Sequence, residues 1–321
     1  MKNFDPRWKS PEDYILGITY EIWEDRGINT LNQYYADDIV VRSPASVVVG
    51  NQGIKAATMA TLAELPDREL LGEDVIWCDA PDGFLSSHRL VSTATHTHPG
   101  IYGAPTGKTI AYRILADCYC TQNQVKDEWL VRDQGAIVTQ LGMDPKTYAS
   151  QLIYNEGGPE QCIQPLTPKT DVQGAYHGRG NDHPCGQQSA ALLESMMEGD
   201  FSQIPKQFDR AVQLEYPNGQ SAQGWKSVDN FWMGLRSAFP DAVLTIYHQM
   251  GMDSPNMSPR SALRWSLHGK HSGWGRFGAP TNAEVYVMGI THSEWGPRGL
   301  RRGWTLIDET AIWKQILLHT G

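Results

Sequence analysis

The sequence lacks the features that would commit the protein to a membrane or to nucleic acid. It holds no run of the ~20 apolar residues that a membrane span needs, and Met1–Ser10 contains no apolar signal region. Basic runs are absent, and 36 Asp and Glu outweigh 27 Lys and Arg, for a net charge of -9. Because sequence-independent binding to nucleic acid or anionic lipid rests on clustered Lys and Arg, we expect neither a nucleic acid nor a membrane partner. A cytoplasmic protein is the default expectation.

Cysteine is also scarce, with five residues scattered over 321, which is not the pattern of a disulfide framework. Cys118 and Cys120 share one face of a predicted strand, where two small buried side chains are favoured over a metal or redox pair. The stretch His177–Cys185 lacks paired zinc spacing, and the Gly-rich segment 100–107 lacks the helix that follows a phosphate loop. The sequence therefore predicts no metal site.

What the chain does contain is a long internal repeat. Residues His96–Gln140 reappear without a gap as His271–Gln315. At this offset of 175 the identical pairs are His96/His271, Gly100/Gly275, Gly103/Gly278, Ala104/Ala279, Pro105/Pro280, Thr106/Thr281, Trp129/Trp304, Asp133/Asp308, Ala136/Ala311, Ile137/Ile312 and Gln140/Gln315. Upstream an offset of 174 pairs Gly50/Gly224, Pro66/Pro240 and Asp67/Asp241. A period of this length indicates two copies of one domain, and we predict domains at 1–153 and 187–321 joined by a Gly- and Pro-rich linker at 154–186.

Each copy shows helical periodicity first and strand patterns last. Predicted helices cover Pro11–Trp23, Gln52–Leu65, Ser189–Met197 and Trp225–Phe239, with short strands at Ile39–Arg42 and Gln213–Tyr216. In the first copy four more strands follow, at Ser86–Thr97, Lys108–Cys120, Val125–Asp133 and Ala136–Gln140. This order predicts an α+β fold of tandem cone-shaped, curved antiparallel sheets with N-terminal helices packed on the concave face. Such a cone encloses space for a small organic ligand.

Four segments of the first copy resemble a known family. These are Val47-Val48-Val49-Gly50, Thr95-His96-Thr97 with Gly103-Ala104-Pro105-Thr106-Gly107, Val125-Lys126-Asp127-Glu128-Trp129, and Gln140-Leu141-Gly142. Together they resemble SnoaL-like polyketide cyclases, which belong to the nuclear transport factor 2-like superfamily. The resemblance spans about residues 11 to 145, with a degenerate second match over about 187 to 318, and superfamily members include enzymes and non-enzymes.

The resemblance implies cofactor-free acid/base chemistry, in which a pocket His and Asp assist an intramolecular aldol closure. Transferred by position, the first of these falls on Asp117 in copy one and on His292 in copy two. The second falls on Leu130 and on Thr305, and this departure argues against literal polyketide cyclisation. Family members often carry a His at the place of Glu128. No cofactor is implied.

The residues themselves predict a pair of facing carboxylates. A hairpin turning at Gln122-Asn123 pairs residues whose numbers sum to 245, which sets Asp117 opposite Glu128 at about 5 Å between Cβ atoms. In a dry cone one acid would keep its proton and the other would ionise. Arg113 and Arg132 have the strand parity to moderate the pair. The alternative is two solvated carboxylates on the outer face of the sheet.

The same register in copy two sets His292 opposite Gly303, a titratable group beside open space, with a plain core or surface histidine as the alternative. It also sets Glu294 opposite Arg301 as a cross-strand ion pair.

His96 and His271 stand where a strand meets the Gly-rich turn. Bonding to the turn is favoured for both, and a proton carrier at the mouth of the cone is the alternative. Asp133 and Asp308 have the opposite strand parity to Glu128 unless a bulge intervenes, so an interface or capping role is favoured over catalysis.

The 11 Trp and 13 Tyr suit the walls of a pocket for a flat or ring-shaped ligand. Candidates for holding the substrate are Arg42, Trp129, Tyr216, His271 and His292.

These expectations converge on a cofactor-independent acid/base enzyme of the cyclase, isomerase or dehydratase type. It would act in the first cone on a small organic carbonyl or hydroxyl compound, with Asp117 as base, Glu128 as acid, Arg113 tuning their charge and His96 as a candidate proton carrier. The alternatives are a non-catalytic small-molecule-binding protein and a purely structural duplication. In each case we expect an internal pseudo-dimer of the two copies, with weak drive for further self-association.

Overall fold

The structure, a computed structural model, describes all residues 1–321. The first domain begins with helix α1 (Pro11–Thr19), which Ser10 caps by accepting a hydrogen bond from the backbone N–H of Asp13. Its further elements are α2 (Leu31–Tyr34), β1 (Tyr35–Ser43), β2 (Ser46–Val49), α3 (Asn51–Glu64), β3 (Glu69–Ala80), β4 (Gly83–Thr95), β5 (Thr109–Thr121), β6 (Gln124–Arg132), α4 (Gln134–Leu141) and α5 (Pro145–Asn155).

The second domain repeats this order of elements. It contains α6 (Pro184–Met197), α7 (Ile204–Gln207), β7 (Phe208–Tyr216), β8 (Gln220–Gln223), α8 (Trp225–Ala238), β9 (Val243–Met252), β10 (Arg260–Lys270), β11 (Glu284–Gly296), β12 (Gly299–Ile307) and α9 (Glu309–Thr320). Between the domains, residues 156–183 contain turns and a single isolated bridge but no helix or strand. None of the nine helices combines the length and apolar character needed to cross a bilayer.

The two six-stranded sheets have the same topology. Their strand orders are β2-β1-β6-β5-β4-β3 and β8-β7-β12-β11-β10-β9, which confirms the predicted tandem α+β architecture. The sheets are mixed rather than wholly antiparallel, because β1 pairs with β6, and β7 with β12, in parallel. This pairing brings the start of each domain beside its last strand, a contact between segments too distant in sequence for local patterns to predict.

One predicted strand is wrong. Residues Ala136–Gln140 lie in helix α4, whose N-cap Asp133 accepts from the N–H of Ala136 and whose C-cap Gly142 adopts a left-handed φ of 100°. A run rich in β-branched residues thus becomes helical because caps fix both its ends. The edge strands β3 and β9 were not predicted.

Each sheet has one face covered by helices and one face turned to the other domain. The helix-covered face forms the interior of the cone, with a core around Tyr14, Phe84 and Tyr112 in the first domain. The opposite faces pack against each other, where Leu115 of the first sheet and Ile290 of the second share one apolar cluster. Alternate residues of every central strand therefore face either a cone or the domain interface.

Candidate functional site

The hairpin of β5 and β6 decides which side chains face the first cone. It turns at Gln122 and Asn123, both with positive φ, as the sequence predicts. A β-bulge at Lys126 then shifts the register by one residue, so that Asp117 lies opposite Trp129 and Glu128 lies opposite Cys118. The predicted Asp117–Glu128 pair is wrong: the two carboxyl groups lie on opposite faces of the sheet, Glu128 in the cone and Asp117 at the domain interface.

The second domain has the same bulge at the equivalent residue, Arg301. His292 consequently lies opposite Trp304 rather than Gly303, and Glu294 lies opposite Arg302 rather than Arg301. The Glu294 carboxylate is 3.8 Å from the Arg302 guanidinium. The predicted pairings of His292 and Glu294 are wrong for the same reason as in the first domain.

Asp117 and His292 both lie in the domain interface, at equivalent positions. The Asp117 carboxylate is 3.2 Å from Nδ1 of His248, while Nε2 of His292 is 2.7 Å from Oγ of Ser87. Burial lowers the pKa of His248 to about 4 and that of His292 well below its usual range, so both rings are neutral at pH 7. These contacts join the domains and leave neither residue open to a cone.

The predicted Arg113 and Trp129 also serve the interface. Arg113 donates to Glu73 of its own sheet and to Glu215 of the other domain, at 3.0 Å each. The ring of Trp129 lies under the Arg264 guanidinium, 4.5 Å from its centroid. In the equivalent pair the first domain supplies the arginine: the Arg89 guanidinium stacks on Trp304 of the second domain, 3.6 Å from the ring centroid. Because Arg113 and Arg132 lie on opposite faces, they cannot moderate one group together.

Arg42 fastens the connecting segment to the first sheet. Its guanidinium is 2.5 Å from Asp127 and 2.6 Å from Asp171, and it also donates to the carbonyl of Val172. Arg42 is buried and has its charge neutralised by these carboxylates. The predicted substrate-binding role of Arg42 has no support in this geometry.

His96 and His271 bond to the turn that follows their strands. Nδ1 of His96 is 3.3 Å from the hydroxyl of Thr106, and Nδ1 of His271 is 3.1 Å from that of Thr281. Nε2 of His96 also lies 3.3 Å from Glu64. Both rings are fully buried, which agrees with the structural role that the sequence favours.

Asp133 and Asp308 are helix caps. Besides capping α4, Asp133 accepts hydrogen bonds from the N–H groups of Asn218 and Gly219 in the second domain, at 2.8 and 2.9 Å. Asp308 accepts from Thr310 and Ala311 of its own helix α9. Their positions agree with the interface or capping role favoured from sequence.

Glu128 is the acidic side chain that the first cone encloses. It is 8% exposed, and burial raises its pKa from the ordinary 4.5 to about 7, against an opposing hydrogen bond with Tyr35. A carboxyl group with such a pKa is populated both as acid and as base at neutral pH.

His88 faces the same cone two strands away, roughly 10 Å across the sheet. Burial lowers its pKa to about 4, so its ring is neutral, and Nδ1 has no hydrogen-bond partner. The small Ala116 lies between His88 and Leu130 in one row across this face of the sheet. Cys118 and Cys120 lie beside Glu128 in the core, where burial raises the pKa of both thiols and keeps them protonated.

Two arginines lie further along the interior of this cone. Arg68 donates from Nε to the hydroxyls of Ser92 and Tyr112, at 3.3 and 3.1 Å. Arg132 follows Glu128 and Leu130 on the same face of β6, and its Nε has no partner. This end of the cone therefore carries two cations near the tyrosine hydroxyls.

The second cone has an apolar interior. The residues equivalent to Glu128 and His88 are Gly303 and Leu263, as the matching strand pairs show. A small cavity of about 30 Å³ lies between the helices and the sheet, and Tyr216, stacked on Phe231, is part of its wall. Thr305, the counterpart of Leu130, also lines it. No Asp, Glu or His side chain lines this cavity.

Of the residues that now define the first site, Glu128 was predicted, Arg132 was assigned a supporting role with the wrong partner, and Arg68 and His88 were missed. A signal for the missed pair exists in the repeat itself: where copy one has His88 and Arg68, copy two has Leu263 and Ala242. A polar residue whose duplicate is apolar is not required by the shared fold.

The molecule is thus a tandem pair of cone-shaped α+β domains, one with a polar and one with an apolar interior. Residues 14–141 match the family model "SnoaL-like polyketide cyclase". The first domain is similar to this family over these residues, as its sequence motifs indicate, and the second domain repeats its topology. No curated protein matches the chain.

Solved structures similar to this chain include IdmH, a candidate polyketide cyclase from Streptomyces antibioticus, at 23% identity and a TM-score of 0.37, covering 42% of this chain and 99% of its own. A candidate polyketide cyclase from Acidithiobacillus ferrooxidans is 21% identical with a TM-score of 0.37, covering 41% of this chain and 95% of its own. AclR, a candidate hydroxylase from Streptomyces galilaeus, is 18% identical with a TM-score of 0.34, covering 42% of this chain and 82% of its own. Likeness at this level carries no functional argument.

Proposed function

We propose that the first domain is a cofactor-independent acid/base enzyme acting on a small organic compound with a carbonyl or hydroxyl group. Glu128 is the proton carrier, in place of the Asp117–Glu128 pair that the sequence predicts. The observation that carries this proposal is the position of a buried carboxyl group, with a pKa of about 7, inside a cone. Perturbed carboxyl groups of this kind are the usual signature of general acid/base sites.

The chemistry needs only proton transfers next to a carbonyl. Ionised Glu128 takes a proton from the carbon beside the carbonyl, and the protonated carboxyl group returns it at another atom or to a leaving hydroxyl. The neutral ring of His88 provides a hydrogen-bond donor toward the developing oxyanion without contributing a charge. Cyclisation, isomerisation and dehydration all proceed by such steps.

Exchange of α-protons tests this function without knowledge of the natural substrate. Ethyl acetoacetate, cyclohexanone and 2-tetralone are incubated with the full-length protein in D₂O, and deuterium incorporation is followed by proton NMR. We expect the protein to accelerate exchange of at least one ketone, and Glu128→Gln to slow it by about 100-fold or more, the usual contribution of a positioned base. Asp117→Asn, on the other face of the same hairpin, serves as the matched variant and retains exchange.

Exchange that survives Glu128→Gln would remove Glu128 from the mechanism, and exchange lost only in Asp117→Asn would restore the interface carboxylate as the base.

A second candidate function is ligand binding without turnover. It is favoured by Leu130 and Thr305, which face the two cones where the family resemblance implies an Asp, and by the apolar cavity of the second domain. Saturable binding of the ketones with no acceleration of exchange in the wild type would support this function instead of catalysis.

A further inference from the structure

The arginines of the first cone differ from the other buried arginines of this protein. Three of the other buried guanidinium groups meet a carboxylate, Arg42 with Asp127, Arg89 with Glu73 and Arg260 with Asp74, and the fourth, Arg264, stacks on the rings of Trp129 and Tyr247. Such pairing is the rule, because an unpaired charge inside a protein loses its hydration without compensation.

Arg68 and Arg132 have no carboxylate partner. Apart from burial, the groups that affect their pKa values are Tyr102, Tyr112 and, for Arg132, Tyr148. Arg132 also affects the pKa of Arg68. Arg68 is 6% exposed, while Arg132 is half-buried and its fully enclosed Nε atom has no hydrogen-bond partner. The two cations lower the pKa of Tyr112 between them, so the end of the cone is strongly electropositive.

The second domain shows that the fold does not require these groups. The equivalents of Arg68 and Arg132 are Ala242 and Ile307, and three polar neighbours are replaced in the same way. These replacements of Ser92, Tyr102 and Tyr112 are Leu267, Phe277 and Val287. All five apolar counterparts are buried in the second domain. The polar cluster is therefore specific to the first cone.

The cluster lies on the same face as the proposed proton carrier. Along β6 the residues facing the cone are Glu128, Leu130 and Arg132, which span roughly 13 Å from first to last. Leu130 and Trp23 supply apolar surface between the two ends, and both pack against the core of this domain. An extended molecule anchored at Arg132 thus lies along the face that also carries Glu128.

We propose that Arg68 and Arg132 bind the carboxylate of a small keto or hydroxy acid, whose apolar body lies on Leu130 and whose reactive carbon faces Glu128. This inference rests on the proposed function for the reaction, but the carboxylate site stands on the arginines alone. A planar carboxylate matches the donor forks of two guanidinium groups, and the surrounding tyrosine hydroxyls supply further donors. Its negative charge supplies the counterion that the protein itself does not.

Isothermal titration of the full-length protein tests the site with 3-phenylpropanoate and its uncharged isostere 3-phenylpropanamide, at pH 8 and fixed ionic strength. We expect the carboxylate to bind at least ten-fold more tightly than the amide. Arg68→Ala and Arg132→Ile, which introduce the residues of the second cone, should abolish this preference and leave the melting temperature unchanged or raised. Arg301→Gln, an exposed arginine of the second domain, is the matched control and should keep it.

Equal affinity for the acid and the amide would overturn the inference. So would an unchanged preference in Arg132→Ile with a lowered melting temperature, which would make the arginine structural. Inorganic phosphate binding as tightly as 3-phenylpropanoate would overturn the assignment to carboxylates. A selective carboxylate site in a protein that exchanges no α-proton would contradict the proposed enzyme but support this inference, whereas exchange of neutral ketones without carboxylate preference would do the reverse.

Discussion

Asp133 is expected to couple the two domains, and its duplicate Asp308 provides the matched control. The Asp133 carboxylate caps helix α4 and also accepts two backbone hydrogen bonds from the β7–β8 turn of the second domain. Asp308 caps α9 and accepts only from Thr310 and Ala311. Loss of a cap costs about 1 kcal/mol, and each further hydrogen bond to a charged acceptor contributes roughly 1.5 kcal/mol or more.

The Thr310 hydroxyl, which donates to Asp308, offsets one of these two bonds, so Asp133→Ala should lower the free energy of unfolding by about 1.5 kcal/mol more than Asp308→Ala does. Burial raises the pKa of both carboxyl groups, so each variant also escapes a desolvation cost, and the difference between the variants is the quantity to compare. Urea unfolding followed by tryptophan fluorescence measures it. Asp133→Ala should also broaden or split the transition, because the domains lose a shared contact. Equal losses in the two variants, each with a single sharp transition, would refute the coupling role.

Further predictions concern the cone and the interface. The pKa of Glu128 rises from 4.5 to about 7 on folding, so the folded state holds an extra proton between these values and stability falls as pH rises through that window. Glu128→Gln removes this loss. In urea unfolding, the free energy of unfolding of the variant minus that of the wild type should therefore be about 3 kcal/mol more favourable at pH 8 than at pH 4. The same difference at both pH values would contradict the raised pKa. Arg89→Leu breaks the ion pair with the partly exposed Glu73 and the stacking on Trp304, and should cost about 2 kcal/mol. Arg264→Leu, which breaks only stacking and weak charge contacts, should cost less, and denaturant midpoints compare the two.

The architecture could be predicted from the sequence because the two copies show the same order of helix and strand patterns. Turn residues such as Gln122 and Asn123 fix the hairpins, and the order of helices before strands fixes the fold class. It was not sufficient for the parallel pairing of β1 with β6, or for the edge strands, since both depend on contacts between distant segments.

The strand register at the candidate site differs by one residue from the register that the sequence predicts. The bulge at Lys126 turns Glu128 into the cone, whereas Asp117 on the neighbouring strand faces the interface. No propensity distinguishes a bulged Lys126 from a regular one, but the same bulge at Arg301 shows that the duplicated fold preserves it. Because side chains alternate along a strand, one inserted residue reverses the face of every residue beyond it.

Divergence between the copies assigns the chemistry to one cone. The shared pairs, such as Asp133 with Asp308 and His96 with His271, have structural contacts in both domains. The unshared residues include the buried Glu128 and the half-buried Arg132, whose counterparts are Gly303 and Ile307. Shared residues thus maintain the fold, and our proposal assigns the function to unshared polar residues inside the first cone.

The most direct test of this account is the titration of Glu128 itself. Carbon-13 NMR of the glutamate side-chain carboxyl groups, with Glu128→Gln to assign the resonance, follows its protonation in the full-length protein. The account predicts a midpoint of about 7. A midpoint at the ordinary value of 4.5 would show a solvated carboxylate and contradict a proton carrier in the first cone.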